Sequence, residues 1–185
     1  MSTYVAETLS ARLRAGLSVS ALQAKPALEV FGDIDRSDLC EVELTHGRPI
    51  VAAEELLEIF KTAEKAHALC LIAWRHSPQG GAVPFAILGL GCFTECVATA
   101  ALLARDHRAW KRPLAHLVLE LRRELPRFMF EMSLRRLEAR SWPDHPTAAS
   151  LLSGIGFERE ASLPGCACDG GPFDLYGFVP QRPGG

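Results

Sequence analysis

Leu114, Leu117, Val118, Leu121 and Leu125 recur at three- and four-residue intervals, which predicts a long amphipathic helix. Pro113 stands at the first turn of that helix, where a missing N–H costs nothing. A second helical face runs through 49–65, with Val51, Leu56, Ile59, Phe60 and Ala63 on one side and Glu54, Glu55 and Glu58 on the other. Asp35 to Asp38 reads as the cap of a helix reaching about Thr45. Val5, Leu9, Leu13, Leu17 and Leu22 roughly follow helical spacing, so residues 2–24 are predicted as one helical arm ended by Lys25-Pro26. The apolar segment 27–34 is the candidate first strand.

Further along, the pattern changes period. Residues 68–74, 84–93 and 97–104 read as strands, and the unbroken apolar run of the last predicts burial on both faces. Residues 134–142 alternate as a strand, and 146–153 form a short helix that stops at Gly154-x-Gly156. Segments 158–163 and 173–179 read as a hairpin joined by PGCACDGGP. The predicted class is α/β (α+β): a mixed, mostly antiparallel sheet flanked by helices. The predicted division is an extra N-terminal helical arm over 1–26, one domain over 27–180 and a tail over 181–185.

Composition narrows the setting. The chain has 185 residues, 48% hydrophobic and 23% charged, with a net charge of -2. That describes one soluble globular domain with no electrostatic case for nucleic acid. The apolar runs are too short to span a bilayer, and the N-terminus lacks an apolar segment followed by a cleavage site. The expectation is a cytoplasmic protein with six reduced thiols. Cys92 and Cys96, and Cys166 and Cys168, are the close pairs; their spacing does not compose a repeated zinc motif, so no metal site is expected.

The stretch HPTAASLLSGIGF, residues 145–157, carries the most specific pattern. Ala148 stands three after His145, and Gly156-Phe157 follow the intervening helix. This resembles the last signature of the GNAT acyltransferase fold: Asn-x-x-Ala, a helix, then Gly-Phe. His145 takes the place of the Asn, and Leu152 stands where many acetyltransferases carry a Tyr that protonates the departing thiolate. The resemblance also implies an acyl-CoA loop after the central strand, Arg/Gln-x-x-Gly-x-Gly/Ala, whose glycines bring backbone N–H groups to a pyrophosphate. The matching segment here, RDHRAWKRPL at 105–114, has no glycine. Arg105, Arg108, Lys111 and Arg112 are the candidate phosphate-binding residues, acting through side chains; a solvated basic turn is the plainer reading.

The fold's chemistry needs a general base for the amine. Glu95, before the central strand, is the candidate by position; Tyr176 and His145 are weaker ones, with His145 also suited to capping the short helix beside Asp144. Glu41 and Glu43 fall on different helical faces and do not form a paired-carboxylate site. A closer likeness runs from Asp38-Leu39-Cys40-Glu41-Val42 through Gly47-Arg48-Pro49 and Val83–Leu90 to Phe173–Phe178. It is similar to the GNAT-like internal virion protein group of tailed phages. That likeness implies a degenerate fold with an assembly role, other virion proteins as partners, no cofactor and no acetyl transfer. The alternative is an active acetyl-CoA-dependent N-acetyltransferase with an atypical cofactor loop; a small binding module is a third reading.

Overall fold

Gly16 divides the helical stripe expected over 2–24. The computed structural model describes residues 2–14, 16–92 and 94–180; the expected tail, 181–185, and Phe93 lie outside the described residues. Helix α1 covers Ser2–Ser10, and strand β1 covers Leu17–Ala21. The helix has already ended at Ser10, and Gly16 has φ +67, a left-handed value glycine adopts at little cost as the chain turns into β1. Beyond it Leu17 and Val19 are buried while Ser18 and Ser20 are less so, a period of two that the roughly helical leucine spacing concealed. Only α1 of the predicted arm is therefore helical. Its Val5, Ala6 and Leu9 join the core with Leu17, Val19, Leu69 and Leu71, and Arg12 beyond it grips Glu131 through two hydrogen bonds of 3.0 and 2.8 Å.

Residues expected as the first strand form helix α2, Ala24–Phe31, instead. Pro26 sits in its first turn, where proline is tolerated, and Ala27, Val30 and Phe31 supply the buried face. Helices α3 (Arg36–His46) and α4 (Ala53–Lys65) follow, then strands β2 (Leu69–His76), β3 (Ala82–Cys92) and β4 (Val97–Ala104). Helix α5 runs over Lys111–Glu131, β5 over Arg136–Ser141, α6 over Ala148–Ile155, β6 over Glu158–Leu163 and β7 over Phe173–Phe178.

The seven strands form one sheet in the order β1-β2-β3-β4-β5-β7-β6. Every neighbour pair is antiparallel except β4 and β5. One face carries α1, α5 and α6; the other carries α2, α3 and α4, whose Phe31, Leu56 and Phe60 pack on Cys70, Ile72, Ile87 and Leu103. The parallel pair is short. Val97, Ala98 and Thr99 pair with Arg136, Leu137 and Glu138, and there the pairing ends. Strand β4 continues to Ala104 and β5 to Ser141 without meeting, so the sheet opens into a wedge between its two central strands.

Candidate functional site

The wedge is an open cleft with a polar wall. A cavity of about 100 Å³ is bounded by Ala100–Leu103 of β4, Ala139–Ser141 of β5 and residues of α6, with Asp38, Glu41 and His145 on its polar side. Trp110 does not fill it; its ring lies on Phe85, with centroids 5.7 Å apart and planes 5° apart. A second, larger cavity of about 330 Å³ lies on the α3–α4 side of the sheet, lined by Glu41, Thr45, His46, Thr99, Arg140, Cys166 and several apolar side chains. A third, almost wholly apolar and about 120 Å³, lies between α5 and the sheet and shares Leu152 and Ala139 with the cleft.

Glu41 is the carboxylate common to the cleft and the larger cavity, which also share Arg140 and, on β4, Ala100, Ala101 and Leu103. Its Oε2 accepts the backbone N–H of Trp142 at 3.0 Å and the Ser141 hydroxyl at 3.3 Å. Its Oε1 has no partner among the described residues. Burial pushes the carboxyl above the ordinary value of 4.5, with help from the Asp38 charge and against the Trp142 hydrogen bond and His145. A half-tied carboxylate with a raised pKa at a junction of cavities is the environment a proton acceptor needs. The sequence pointed away from Glu41 because its spacing to Glu43 excluded a carboxylate pair and the Asp38–Val42 likeness implied no catalysis; its partners Ser141 and Trp142 stand about a hundred residues downstream.

Behind Glu41 lies a buried polar network. Asp38 Oδ1 accepts from His145 Nε2 at 2.8 Å, and its Oδ2 accepts the Ala104 N–H at 2.7 Å and faces His107 Nε2 at 3.3 Å. His145 Nδ1 accepts the N–H groups of Thr147 and Ala148 at 3.3 and 3.1 Å. Those two bonds require an unprotonated Nδ1, so the ring proton sits on Nε2 and points at Asp38. His145 therefore caps α6 and offers no free nitrogen for proton transfer. His107 Nδ1 meets the Thr147 hydroxyl at 2.6 Å. Burial lowers the His107 pKa, but the hydrogen bond and charge of Asp38, with Asp35 and Asp106, outweigh it and hold the ring above 6.5. Ligand atoms of Asp35, Asp38 and His107 come within 4.8 Å of one another. Asp35, however, caps α3 through the Ser37 N–H and accepts the His107 N–H. Those acceptors already face protons, so the cluster is accounted for without an ion.

The other expected residues stand elsewhere. Glu95 is exposed in the β3–β4 turn, at the end of β4 that pairs with β5 rather than the end that opens. Tyr176 is buried opposite Ala139 among Ile155, Phe157 and Phe178, and burial raises its pKa; it lines none of the three cavities. Leu152 lines the cleft without a hydroxyl. The Cys70 thiol is pushed up to about 12, chiefly by burial, and Cys166 and Cys168 are free and exposed. The side chain of Cys92 lies outside the described residues, and its pairing with Cys96 with it.

The glycine-free turn supplies its own anion. Asp106 Oδ1 accepts the N–H groups of Arg108 and Ala109 at 2.8 and 3.2 Å, and Asp35 takes that of His107. Three backbone donors of a phosphate cradle are thus occupied. Arg105 is also engaged, donating to Asp33 at 2.9 Å with its guanidinium 4.9 Å above the Trp110 ring. Arg108, Lys111 and Arg112 are exposed at the start of α5 and pair with no carboxylate among the described residues. Of the four expected basic residues, these three are available to an anion.

No protein-family model matches the sequence, and no curated protein is recognisably similar to it. Solved structures do share the architecture. A GNAT-family acetyltransferase from Bacillus anthracis superposes with a TM-score of 0.67 at 13% identity, covering 90% of this chain and 96% of its own. The fold is that of the GNAT acetyltransferases. A ribosomal-protein-S5-alanine acetyltransferase from Vibrio fischeri (TM-score 0.60, 10% identity, 92% of this chain and 97% of its own) shares it. So does a phosphinothricin acetyltransferase from Sinorhizobium meliloti in complex with AcCoA (0.59, 11%, 91% and 93%).

These matches correct the expected function. A degenerate virion-assembly protein was the main expectation, and the structures named above that share the GNAT fold are acetyltransferases. The expected absence of a cofactor loses its support in the same way. No helix among the described residues is long and apolar enough to cross a membrane.

Proposed function

We propose that the protein is an acyl-CoA-dependent N-acyltransferase, with acetyl-CoA as the donor, in which Glu41 is the general base. The observation that carries this is the separation of β4 from β5 beyond Thr99 and Glu138, with Glu41 bridging the resulting cleft and the larger cavity. A carboxylate there can take a proton from an amine in the larger cavity and release the nitrogen toward the cleft. A thioester bound in the cleft supplies the acyl group and a leaving thiolate. Arg108, Lys111 and Arg112 suit the phosphates, gripping them by side chain because Asp106 holds the backbone donors. Leu152 provides no acid, so the departing thiolate, a good leaving group without protonation, takes its proton from water.

The test is acetyl-CoA thiol release across a panel of amines with the full chain and Glu41→Gln. Turnover by the parent and a loss of about 10²–10⁴ in the variant support the reading, the scale expected for a lost general base. A parent protein that turns over no amine and does not bind acetyl-CoA would overturn it.

A further inference from the structure

Three residues that line the larger cavity have polar atoms with no partner among the described residues. Arg140 pairs with no carboxylate among the described residues, although its neighbours do: Arg136 with Glu138 and Glu160, and Arg159 with Asp174. Thr99 Oγ1 is buried, with under 1 Å² exposed and no hydrogen-bond partner, and a turn about χ1 is needed to bring it to the cavity. Buried hydroxyls are seldom left so, because desolvation without a partner is costly. Glu41 Oε1 is the third. All three residues line the same space, and Glu41 binds the N–H of Trp142, two residues beyond Arg140. The carboxylate and the guanidinium thus belong to one wall. Thr45, His46 and Cys166 add polar groups to the lining, and the rest is apolar, built from Val42, Leu56, Ile59, Phe60, Leu103 and Phe173.

Each group selects for a part of one small molecule. A free guanidinium matches a carboxylate with two parallel hydrogen bonds. A hydroxyl beside it donates a further one. The carboxylate on the same wall takes an ammonium, and the apolar lining takes a hydrocarbon side chain. The volume, about 330 Å³, falls within the range of small-molecule sites and accommodates an aromatic amino acid. A polyamine would bring like charge to Arg140. A peptide N-terminus would offer the guanidinium a neutral amide oxygen.

We infer that the acyl acceptor is a free α-amino acid with an apolar side chain, its carboxylate on Arg140 and Thr99 and its amine on Glu41. This deepens the acyltransferase reading and rests on it for the chemistry, though not for the binding. In the reaction the ammonium gives one proton to Glu41. Its nitrogen then bonds the thioester carbonyl carbon as the C–S bond breaks, and its second proton ends on the departing sulfur by way of water. The products are an N-acyl amino acid and the free thiol.

The experiment is calorimetric titration of the full chain with L-phenylalanine, L-leucine, L-phenylalaninamide, phenethylamine and spermidine, without acyl donor, repeated on Arg140→Gln and Thr99→Val. Arg140 is exposed, so its replacement leaves the fold intact, checked by thermal melting. The inference predicts that an amino acid binds at least about tenfold more tightly than the amide or the amine, the scale of a charge-assisted pair. Arg140→Gln abolishes that preference and Thr99→Val weakens it several-fold. Amine binding equal to amino-acid binding, a preference that survives Arg140→Gln, a preference for spermidine, or no amino-acid binding at all would each overturn it. The two readings fail separately. Acetylation of an amine other than these amino acids removes the acceptor assignment alone, and a protein that binds L-phenylalanine but not acetyl-CoA removes the acyltransferase reading alone.

Discussion

Asp38 on α3 holds His145, 107 residues later, through a buried 2.8 Å hydrogen bond. The same carboxylate accepts the Ala104 N–H where β4 ends. One side chain thus ties α3, the end of β4 and the cap of α6 together, and so fixes three walls of the cleft. Asp38→Ala leaves the Ala104 N–H and the His145 Nε2–H without acceptors. It is expected to lower stability by about 3 kcal/mol, the scale of a broken buried charged pair, read as the urea midpoint. An unchanged midpoint would show that the network is not holding the walls.

His107 gives that network a pH dependence. Its pKa is raised in the folded state above 6.5, because Asp38, Asp35 and Asp106 outweigh burial. The folded state therefore binds the proton more tightly than the unfolded chain. The stabilisation is complete below the unfolded value and is lost as pH rises through the folded one. Urea stability is expected to fall as pH is raised from 6.5, and His107→Gln should flatten that fall. A fall of equal size in the variant would assign the effect to another group.

Beside that network Asp106 competes with any phosphate for the N–H groups of Arg108 and Ala109. Asp106→Ser keeps a hydroxyl acceptor for the turn and removes the charge, so acetyl-CoA should bind more tightly, by about two- to tenfold for one like charge near a helix start. Arg108→Glu with Arg112→Glu should weaken acetyl-CoA while sparing a pantetheine thioester without phosphates. Equal weakening of both ligands would place these arginines away from the phosphates.

Gly156 marks where α6 turns into β6. It has φ +115, and a Cβ there would lie 3.0 Å from the Phe178 ring. Gly156→Ala is expected to cost about 1–3 kcal/mol through backbone strain and overpacking, measured by chemical denaturation. A cost below about 0.5 kcal/mol, typical of an unconstrained surface site, would contradict this packing.

Much of this architecture was legible locally. The leucine stripe marked α5, the apolar run marked β4 to the residue, and the Gly-Phe step marked the end of α6. The errors lay where two periods overlapped. Leu9, Leu13 and Leu17 kept a helical spacing across Gly16, while Leu17-Ser18-Val19-Ser20 alternated only over four residues. Pro26 read as a breaker because its place in the first turn of α2 depends on where that helix starts. The candidate base was not legible. Glu95 stood out by its place before the central strand. Glu41 acquires its environment from Ser141, Trp142 and Asp38, which meet only when β5 diverges from β4. Nor was the open cleft visible, since a glycine-free turn reads equally as a lost cradle and as one replaced by side chains.

The most direct measurement is calorimetric titration of the full chain with acetyl-CoA. The account predicts saturable one-to-one binding in the micromolar range, about -8 kcal/mol at 1 μM, weakened by charge reversal at Arg108 and Arg112. Absence of any heat or thermal shift at millimolar acetyl-CoA would contradict it, leaving a GNAT fold whose cleft is not a donor site.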